Sequence, residues 1–169
     1  MSSMDFKNII GHEEIISRFM SSIETDRVSH AYIIAGEEGS GRYTLAEAFA
    51  KALQCEEGGS EACGHCKSCK QAESDNHPDI ITVAHDKNTV LSVDCIRTEV
   101  VDSMGIKPYS SKYKIYIIRD GEMMTEEAEN ALLKTNLFPL YSFHFPLPFF
   151  SISHSQCFAA YHSLPMTSH

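Results

Sequence analysis

The chain has 169 residues and a formal net charge of −9, and 43% of its residues are hydrophobic. This length is typical of one domain, and the apolar fraction is sufficient for a buried core, which excludes a chain that is disordered throughout. Lys and Arg make most protein contacts to nucleic-acid phosphates, so an acidic chain is poorly suited to binding DNA alone. If it works on DNA, we expect it to work through protein partners.

Charge is distributed unevenly along the chain. Every Asp, Glu, Lys and Arg lies in residues 1–135 and none lies in 136–169, a segment that also holds six of the nine Phe and four of the six Pro. We therefore expect a folded part over 1–135 and a non-homologous tail over 136–169, which is frameshifted or disordered. A genuine divergent segment is the alternative. The exposed aromatic residues of such a tail predict poor solubility.

Two features predict a cytoplasmic protein that does not contact a membrane. The first 30 residues include the charged Asp5, Lys7 and Arg18, where a secretory signal would be apolar. The longest apolar run, residues 137–150, is too short to cross a bilayer and is interrupted by prolines.

The first half of the folded part predicts a helix, a strand and a second helix. Apolar residues spaced as on one helix face extend from about Glu13 to Glu24. The apolar run Ala31 to Ala35 is typical of a buried parallel strand. A second apolar helix face then begins near Gly41.

The second half repeats this alternation. Strands are predicted at Asp79 to Val83 and at Ile115 to Ile118, and helices are predicted to begin after Ser92 and after Thr125. Strands that alternate with helices indicate an α/β fold, in which helices cover both faces of a parallel sheet.

The turn after the first strand reads GEEGSGRY. Its place and its glycine spacing match a P-loop, G-x-x-x-x-G-K-[ST], whose backbone N–H groups bind phosphates. The lysine position holds an arginine, which has a wide planar fork, and the hydroxyl position holds a tyrosine, which reaches too far out to bind Mg²⁺. A glycine-rich turn without a ligand is the alternative. The candidate residues of this degenerate nucleotide site are Gly36, Gly39, Ser40, Gly41, Arg42 and Tyr43.

The third predicted strand, Ile115 to Ile118, is followed by a second departure from the P-loop NTPase pattern. In P-loop NTPases a strand of this kind ends in an Asp that completes the Mg²⁺ shell. Here Arg119 and Asp120 follow the strand, so a cation stands where the carboxylate is expected. Asp120 and Glu122 could serve only after a shift of register, and a solvated acidic loop is the alternative. We therefore expect no ATP hydrolysis.

Four cysteines are spaced C-x7-C-x2-C-x2-C. Four thiolates at this spacing are suited to a closed tetrahedral zinc site, which has a structural role. Unliganded thiols are the alternative, and His65 and His77 are candidate substitute ligands. Cys95 lies beside an apolar helix position and is predicted to pack in the core. The predicted zinc ligands are Cys55, Cys63, Cys66 and Cys69.

Four stretches together resemble the clamp-loader subunits of bacterial DNA polymerase III. They are residues 4–41, the cysteine segment, HPDI at 77–80, and KIYIIRDGEMMTEEAENALLKT at 114–135. The resemblance covers about Asp5 to Thr135, with the motifs in the family's order. It implies a P-loop AAA+ (RecA-like) domain with a three-layer parallel sheet and a four-cysteine zinc module inserted at 55–69. The domain would be incomplete at its C-terminus.

The resemblance also implies a function. In this family the tau/gamma subunit is the ATPase, whereas the delta-prime subunit keeps the fold and the zinc module but commonly has a degenerate nucleotide site. The substitutions Arg42, Tyr43 and Arg119 therefore favour the delta-prime branch. The implied role is in DNA replication, where tau/gamma and delta subunits are the partners and a sliding clamp is loaded onto primed DNA.

The implied cofactor is structural zinc, and ATP binding is left open. The chain would belong to the DNA polymerase III holoenzyme, a nucleotidyltransferase complex, while being neither a polymerase nor an ATPase itself. An active tau/gamma-type ATPase is one alternative, in which Arg42 acts as the P-loop lysine and Asp120 as the metal ligand. An unrelated P-loop kinase or zinc-binding module is the other.

The resemblance ends at Asn136. Family members continue with an acidic and proline-rich stretch, a further strand, a Ser-Arg-Cys motif that supplies an arginine finger, a helical lid and a collar domain, and residues 136–169 match none of these. We therefore expect that this chain does not assemble with clamp-loader partners.

Overall fold

The computed structural model describes residues 5–84, 90–133 and 156–162. Its strands are β1 (Ala31–Ala35), β2 (Ile80–Val83), β3 (Lys114–Ile118) and β4 (Gln156–His162). Its α-helices are α1 (Glu13–Glu24), α2 (Arg42–Leu53), α3 (Lys67–Glu73), α4 (Val93–Ile96), α5 (Asp102–Met104) and α6 (Glu126–Leu133). A π-helical turn, Arg97–Val101, joins α4 to α5, and short 3₁₀ helices occupy Phe6–Asn8 and Gly121–Met123.

The predicted helix starts are confirmed by their caps. Ser92 precedes α4, and its hydroxyl accepts a hydrogen bond from the backbone N–H of Cys95 at 3.4 Å. Thr125 precedes α6, and its hydroxyl accepts from the N–H of Ala128 at 3.2 Å. Such caps provide partners for amide groups that the first turn of a helix leaves unpaired.

The strands form one sheet in the order β1-β4-β3-β2. Strands β2 and β3 pair in parallel, as the sequence predicts, with Ile80 beside Ile115 and Val83 beside Ile118. Strand β4 is antiparallel to both of its neighbours, β1 and β3. The sheet is therefore mixed and not entirely parallel, because a strand from the tail, where the sequence predicts none, lies between β1 and β3.

Both faces of the sheet are covered. Ile115 and Ile117 of β3 join an apolar cluster with the helices α1 and α2, whereas Tyr116 and Ile118 join a second cluster on the other face. The last three of these residues are 0% exposed. Alternate residues of a strand point to opposite faces, so β3 is buried on both and the predicted layer of helices on each face is confirmed.

The first apolar cluster fixes the helix that follows the glycine-rich turn. The rings of Phe19 in α1 and Phe49 in α2 are stacked with centroids 4.0 Å apart, and Tyr32 of β1 meets both rings edge-on. Leu45, one turn into α2, is 0% exposed. Helix α2 is therefore held firmly against β1, which positions the turn between them.

A buried charge ties three segments together at the far end of α2. The side chain of Lys51 is 1% exposed, and its Nζ lies 2.8 Å from a carboxylate oxygen of Asp5 and 2.6 Å from one of Glu73. Burial lowers the pKa of Lys51, but its hydrogen bonds to the two carboxylates outweigh burial and leave that pKa raised. Lys51 therefore joins the N-terminal segment and α3 to α2 as a cation.

We expect Lys51→Met to destabilise the protein by about 2 kcal/mol, because two carboxylates lose their shared cation while part of their surface remains hydrated. The matched control is Lys112→Met, which removes an exposed ion pair with Asp26 and a cation–π contact with Tyr113 and should cost clearly less stability. Urea unfolding of both variants measures the difference. If both variants lost the same free energy of unfolding, the buried ion pairs of Lys51 would stabilise the protein no more than the exposed ion pair of Lys112.

Candidate nucleotide and metal sites

The glycine-rich turn, the candidate phosphate-binding loop, is tight. It connects β1 directly to α2, and Gly39 and Gly41 both have left-handed φ angles, 82° and 84°, which side chains other than glycine rarely adopt. Gly36 is needed for a different reason, since a Cβ atom there would lie 2.7 Å from the Ser40 hydroxyl. These three glycines let the chain turn tightly and point the N-terminus of α2 into the turn.

Two polar atoms of this turn are buried without a hydrogen-bond partner among the described residues. They are the hydroxyl of Ser40 and one guanidinium nitrogen, Nη1, of Arg42. The carbonyl oxygen of Ser40 accepts a hydrogen bond from His12 Nε2 at 2.7 Å, which ties the turn to the start of α1. Sequence reasoning missed His12, because its role depends on a contact between segments 28 residues apart.

The structure brings the two substituted positions of the predicted site together. The guanidinium carbon of Arg119 lies 4.2 Å from the centroid of the Tyr43 ring, a cation–π contact. The backbone N–H of Arg119 donates to the carbonyl of Val83 at 3.0 Å, so the residue is held at the end of the paired β2 and β3 strands. Arg119 is therefore the residue after β3 whose side chain contacts the start of α2.

The Tyr43 hydroxyl is engaged by side chains that the sequence did not single out. It donates to the carboxylate of Glu47, one turn further along α2, and accepts from the hydroxyl of Thr82 in β2. Burial, followed by the bond to Glu47, raises the pKa of Tyr43 to about 12. Burial likewise raises the pKa of Glu47. Tyr43 is thus a neutral, fully engaged hydroxyl at the position where a P-loop has a metal ligand.

Asp120 begins a turn of the chain directly after Arg119. Its backbone is left-handed, with φ 50°, and it begins the short 3₁₀ helix at Gly121–Met123. Its carbonyl accepts a hydrogen bond from the N–H of Met123 at 2.8 Å. The chain therefore turns away directly after Arg119.

The four cysteines predicted as ligands converge. The sulfur atoms of Cys55, Cys63, Cys66 and Cys69 all lie within 4.8 Å of one another. The sulfurs of Cys63 and Cys69 are 3.9 Å apart. Zn–S bonds of about 2.3 Å in a tetrahedron require sulfurs about 3.8 Å apart, whereas a disulfide requires about 2 Å. The spacing of the sulfurs therefore fits a single metal ion, and the distance between Cys63 and Cys69 is too long for a disulfide between these two residues.

Backbone amides point at the cysteine sulfurs. The N–H groups of Cys63, Cys66 and Cys69 donate to the sulfurs of the preceding cysteines at 3.3 to 3.4 Å. Burial opposes the thiolate form of Cys66, but hydrogen bonds from the N–H groups of Cys69 and Glu56 lower its pKa to about 7. Burial is also the main cause of the raised pKa of the Cys69 thiol. A bound cation would favour the thiolates at all four positions.

The other candidate ligands are not members of the four-sulfur cluster, although a ligand atom of His65 lies within 4.8 Å of those of Glu57 and Cys63. His65 is exposed, bonds the carbonyl of Cys63 and pairs with Glu57 at 2.6 Å. His77 is buried, and both of its ring nitrogens have partners outside the cluster. Cys95 packs partly buried against the second apolar cluster. With four sulfurs already assembled, neither histidine is needed as a substitute.

His77 anchors the cysteine segment to the sheet. Ser68, between two of the cysteines, donates its hydroxyl to the carbonyl of Gln54 at 2.6 Å and accepts from His77 Nε2 at 2.9 Å. His77 Nδ1 accepts in turn from the N–H of Asp79 at 3.1 Å. Only the neutral ring, protonated at Nε2, fits both bonds. In the sequence, the HPDI motif at 77–80 was noted only as part of a family resemblance. In the structure, its histidine provides the buried link between the cysteine segment and the sheet.

Asp79 extends the same network. Its carboxylate is 1% exposed and accepts hydrogen bonds from the N–H groups of Tyr109 and Ser110 at 2.6 and 2.8 Å. The loop that leads into β3 is therefore fixed by the residue that precedes β2. Sequence periodicity assigned Asp79 to a strand and gave no sign of this role.

The structure defines an α/β domain with a glycine-rich turn between β1 and α2 and with a cluster of four cysteines. Residues 11–136 match the family described as DNA polymerase III, delta subunit. The match covers most of the chain, so the chain belongs to the DNA polymerase III clamp-loader family.

Relatives of several kinds are found in this family. The chain is 39% identical over 121 residues to the delta' subunit of Bacillus subtilis, which is 71% of this chain and 36% of that protein. It is 34% identical over 131 residues to the tau/gamma subunit of Haemophilus influenzae and to the tau subunit of B. subtilis, which is 77% of this chain but 19% and 23% of those proteins. The chain thus spans about a fifth to a third of the length of these relatives.

Within the described residues, none of the helices has both the length and the apolar character needed to cross a membrane.

We expect protonation of His77 to weaken the fold, because the imidazolium would place a second N–H against the amide of Asp79. Burial lowers the pKa of His77 in the folded state. The contribution to stability is therefore complete above the unfolded pKa of about 6.5 and is lost as the pH falls through the lower folded pKa. Urea unfolding at pH 7.5 and 5.5 measures this loss.

The control is His77→Asn, whose amide oxygen can accept from Asp79 but does not titrate. The other titratable groups are the same in both proteins, so the difference between the two pH profiles reports on His77. The stability of the wild type should fall more steeply than that of the variant, and parallel pH profiles would contradict the assignment.

Proposed function

We propose that the chain is a delta-prime-type clamp-loader subunit that does not hydrolyse ATP. Its proposed role, that of the family domain in residues 1–135, is in DNA replication in the cytoplasm, where subunits of this type help to load a sliding clamp onto primed DNA together with tau/gamma and delta subunits. Because residues 136–169 match none of the segments with which family members continue, we do not expect the 169-residue form itself to assemble with those partners. The clamp and the DNA are contacted through that complex. The acidic net charge of −9 supports action through protein partners and not through a DNA-binding surface of its own.

The observation that carries this proposal is the contact between Tyr43 and Arg119. In a hydrolysing P-loop the corresponding positions bind Mg²⁺, which neutralises charge that develops on the phosphates. Here an aromatic ring and a guanidinium fill this place, and the Tyr43 hydroxyl is already bonded to Glu47 and Thr82. A divalent cation would have to displace this contact and would meet the positive charge of Arg119.

Nucleotide binding without hydrolysis is a separate question. The left-handed glycines and the buried, unpartnered Nη1 of Arg42 support a weak phosphate contact at the turn. Binding of this kind requires neither the metal nor the missing carboxylate. We therefore retain the set Gly36, Gly39, Ser40, Gly41, Arg42 and Tyr43 as a degenerate nucleotide site, with Arg119 and Asp120 as its degenerate acidic motif.

A tau/gamma-type ATPase is the second candidate, and the similarity to tau/gamma relatives at 34% identity favours it. It would require Asp120 to reach the turn. That residue starts a 3₁₀ helix after Arg119, which makes this arrangement the less favourable one.

We further propose that Cys55, Cys63, Cys66 and Cys69 hold one structural zinc ion. The four sulfurs provide a closed donor set with soft thiolate ligands, which is typical of zinc sites that stabilise a fold. Ser68 and Cys69 lie in α3, which Lys51 and His77 attach to the rest of the domain. The ion would therefore stabilise a segment that is already anchored at two points.

We expect purified protein to show no Mg²⁺-dependent ATP turnover above a blank. The triple variant Arg42→Lys, Tyr43→Thr and Arg119→Asp restores the residue types of an active site, and any gain of turnover should require all three. A phosphate-release assay with wild type, single and triple variants checks this. Turnover by the wild type that Arg42→Ala abolishes would establish the ATPase alternative.

We expect elemental analysis of protein purified without added metal to find one zinc per chain. Cys66→Ser should lower the zinc content and the thermal stability, whereas the matched Cys95→Ser, outside the cluster, should retain both. Four freely reactive thiols in the wild-type cluster, without zinc, would rule out the metal site but would leave the nucleotide-site proposal standing.

A further inference from the structure

A second group of metal-ligating side chains lies beside the four-sulfur cluster. Ligand atoms of Glu57, Cys63 and His65 all lie within 4.8 Å of one another. The sulfur of Cys63 belongs both to this group and to the four-sulfur cluster. The two sets of ligands are therefore joined at one atom.

The ring of His65 is oriented like that of a metal-binding histidine. Its Nδ1 lies 3.0 Å from the carbonyl oxygen of Cys63, and because a carbonyl can only accept, Nδ1 carries a proton and donates it. Histidines that bind metal ions almost always donate the other ring N–H to a carbonyl or a carboxylate in this way. This bond fixes the ring and leaves Nε2 as the ligand atom.

Nε2 of His65 faces a carboxylate. It lies 2.6 Å from Oε1 of Glu57, and the two side chains are 70% and 55% exposed. Zn–N and Zn–O bonds of about 2.1 Å in a tetrahedron place these two atoms about 3.4 Å apart, so they must separate by less than about 1 Å. Exposed side chains have room for such a movement. A metal ion would replace the proton between the two atoms, and that proton would pass to solvent.

Charge favours a cation at this place. Four thiolates around one Zn²⁺ leave the cluster with a net negative charge, and the carboxylate of Glu57 adds to it. A second divalent ion beside the Cys63 sulfur is attracted to both at short range. A thiolate sulfur also has enough lone pairs to bind two metal ions at once.

We propose that Glu57, Cys63 and His65 form a second zinc site, in which the Cys63 sulfur is shared by both ions. This inference rests on the structural zinc proposed above, which supplies the neighbouring negative charge. One carboxylate oxygen, one imidazole nitrogen and one sulfur leave a fourth position open to water. Because this site is exposed and has one protein ligand fewer, its ion binds more weakly than the first and is lost when the protein is purified without added metal.

The second ion has a structural consequence for the longest spacing in the cysteine segment. Residues 56–62 separate Cys55 from Cys63 and include two adjacent glycines, of which Gly58 has a left-handed φ of 69°. Glycine-containing loops lose much conformational freedom when they are ordered. An ion that joins Glu57 to Cys63 restrains this loop at both of its ends.

The test is zinc binding by the full chain in equilibrium dialysis at micromolar free Zn²⁺, starting from protein that holds its first ion. The wild type should take up a second zinc. His65→Asn and Glu57→Gln should each weaken the second zinc about tenfold or more while they retain the first. The matched control His30→Asn, at an exposed histidine outside both groups, should still bind two. Thermal unfolding reports whether each variant is folded.

Cobalt tests the shared sulfur. Co²⁺ added to the protein with one zinc should occupy the second site without displacing the first ion, because Co²⁺ binds such ligands more weakly than Zn²⁺ does. Binding through the Cys63 sulfur gives a thiolate-to-cobalt charge-transfer band in the near ultraviolet. His65→Asn should lose this band at the same cobalt concentration. Cobalt that binds without the band would overturn the sharing of Cys63.

The zinc counts separate this inference from the structural zinc site. A wild type that holds one zinc and takes up no second would overturn the inference and leave the structural zinc standing. A chain that binds no zinc at all would overturn both. A second zinc that His65→Asn and Glu57→Gln retain with unchanged affinity would be an adventitious ion elsewhere, which also overturns the inference. Two ions in the wild type and in His30→Asn, with one in the two variants, support the shared site.

Discussion

Strand β3 has apolar side chains on both faces and a strand along each edge, so its backbone groups have no access to water and must all find partners within the sheet. The two apolar clusters are arranged around this strand. Helices α1 and α2 cover one face, and the segment from Val93 to Met104 together with α6 covers the other. The glycine-rich turn and Arg119 are consequently placed at the same end of the sheet.

That placement explains why the two unusual residues act together. Arg119 follows β3 and Tyr43 begins α2, so they come from different layers and meet only because the sheet and helix are packed in this way. A guanidinium beside an aromatic ring is stabilised by the ring's electrons and needs no metal ion. A positive charge therefore lies beside the Tyr43 ring at this end of the sheet.

Much of the fold could be predicted from the sequence. Helix α1 and strand β1 have the predicted bounds, because long apolar patterns and punctuating glycines are local signals. The cysteine cluster could also be predicted, since the spacing of the four cysteines is a local feature of the sequence. The contacts of His12 and Lys51 and the link between His77 and Ser68 could not be predicted, because each depends on segments that meet only in the folded protein. Strand β4 was not predicted, because the uncharged, proline-rich composition of residues 136–169 favoured a tail without regular structure. The short proline-free stretch at 156–162 was not considered separately.

The pairing of β1 with β4 also has a consequence for the order in which the molecule forms. Partners in this ladder are more than about 120 residues apart, as for Ala35 and Gln156. During synthesis at the ribosome, α1, β1 and α2 emerge before β4, so β1 lacks the strand with which it pairs in the described sheet until residues 156–162 have been made. The nascent protein must therefore keep this edge from pairing with other chains while the more than 100 residues between β1 and β4 are made.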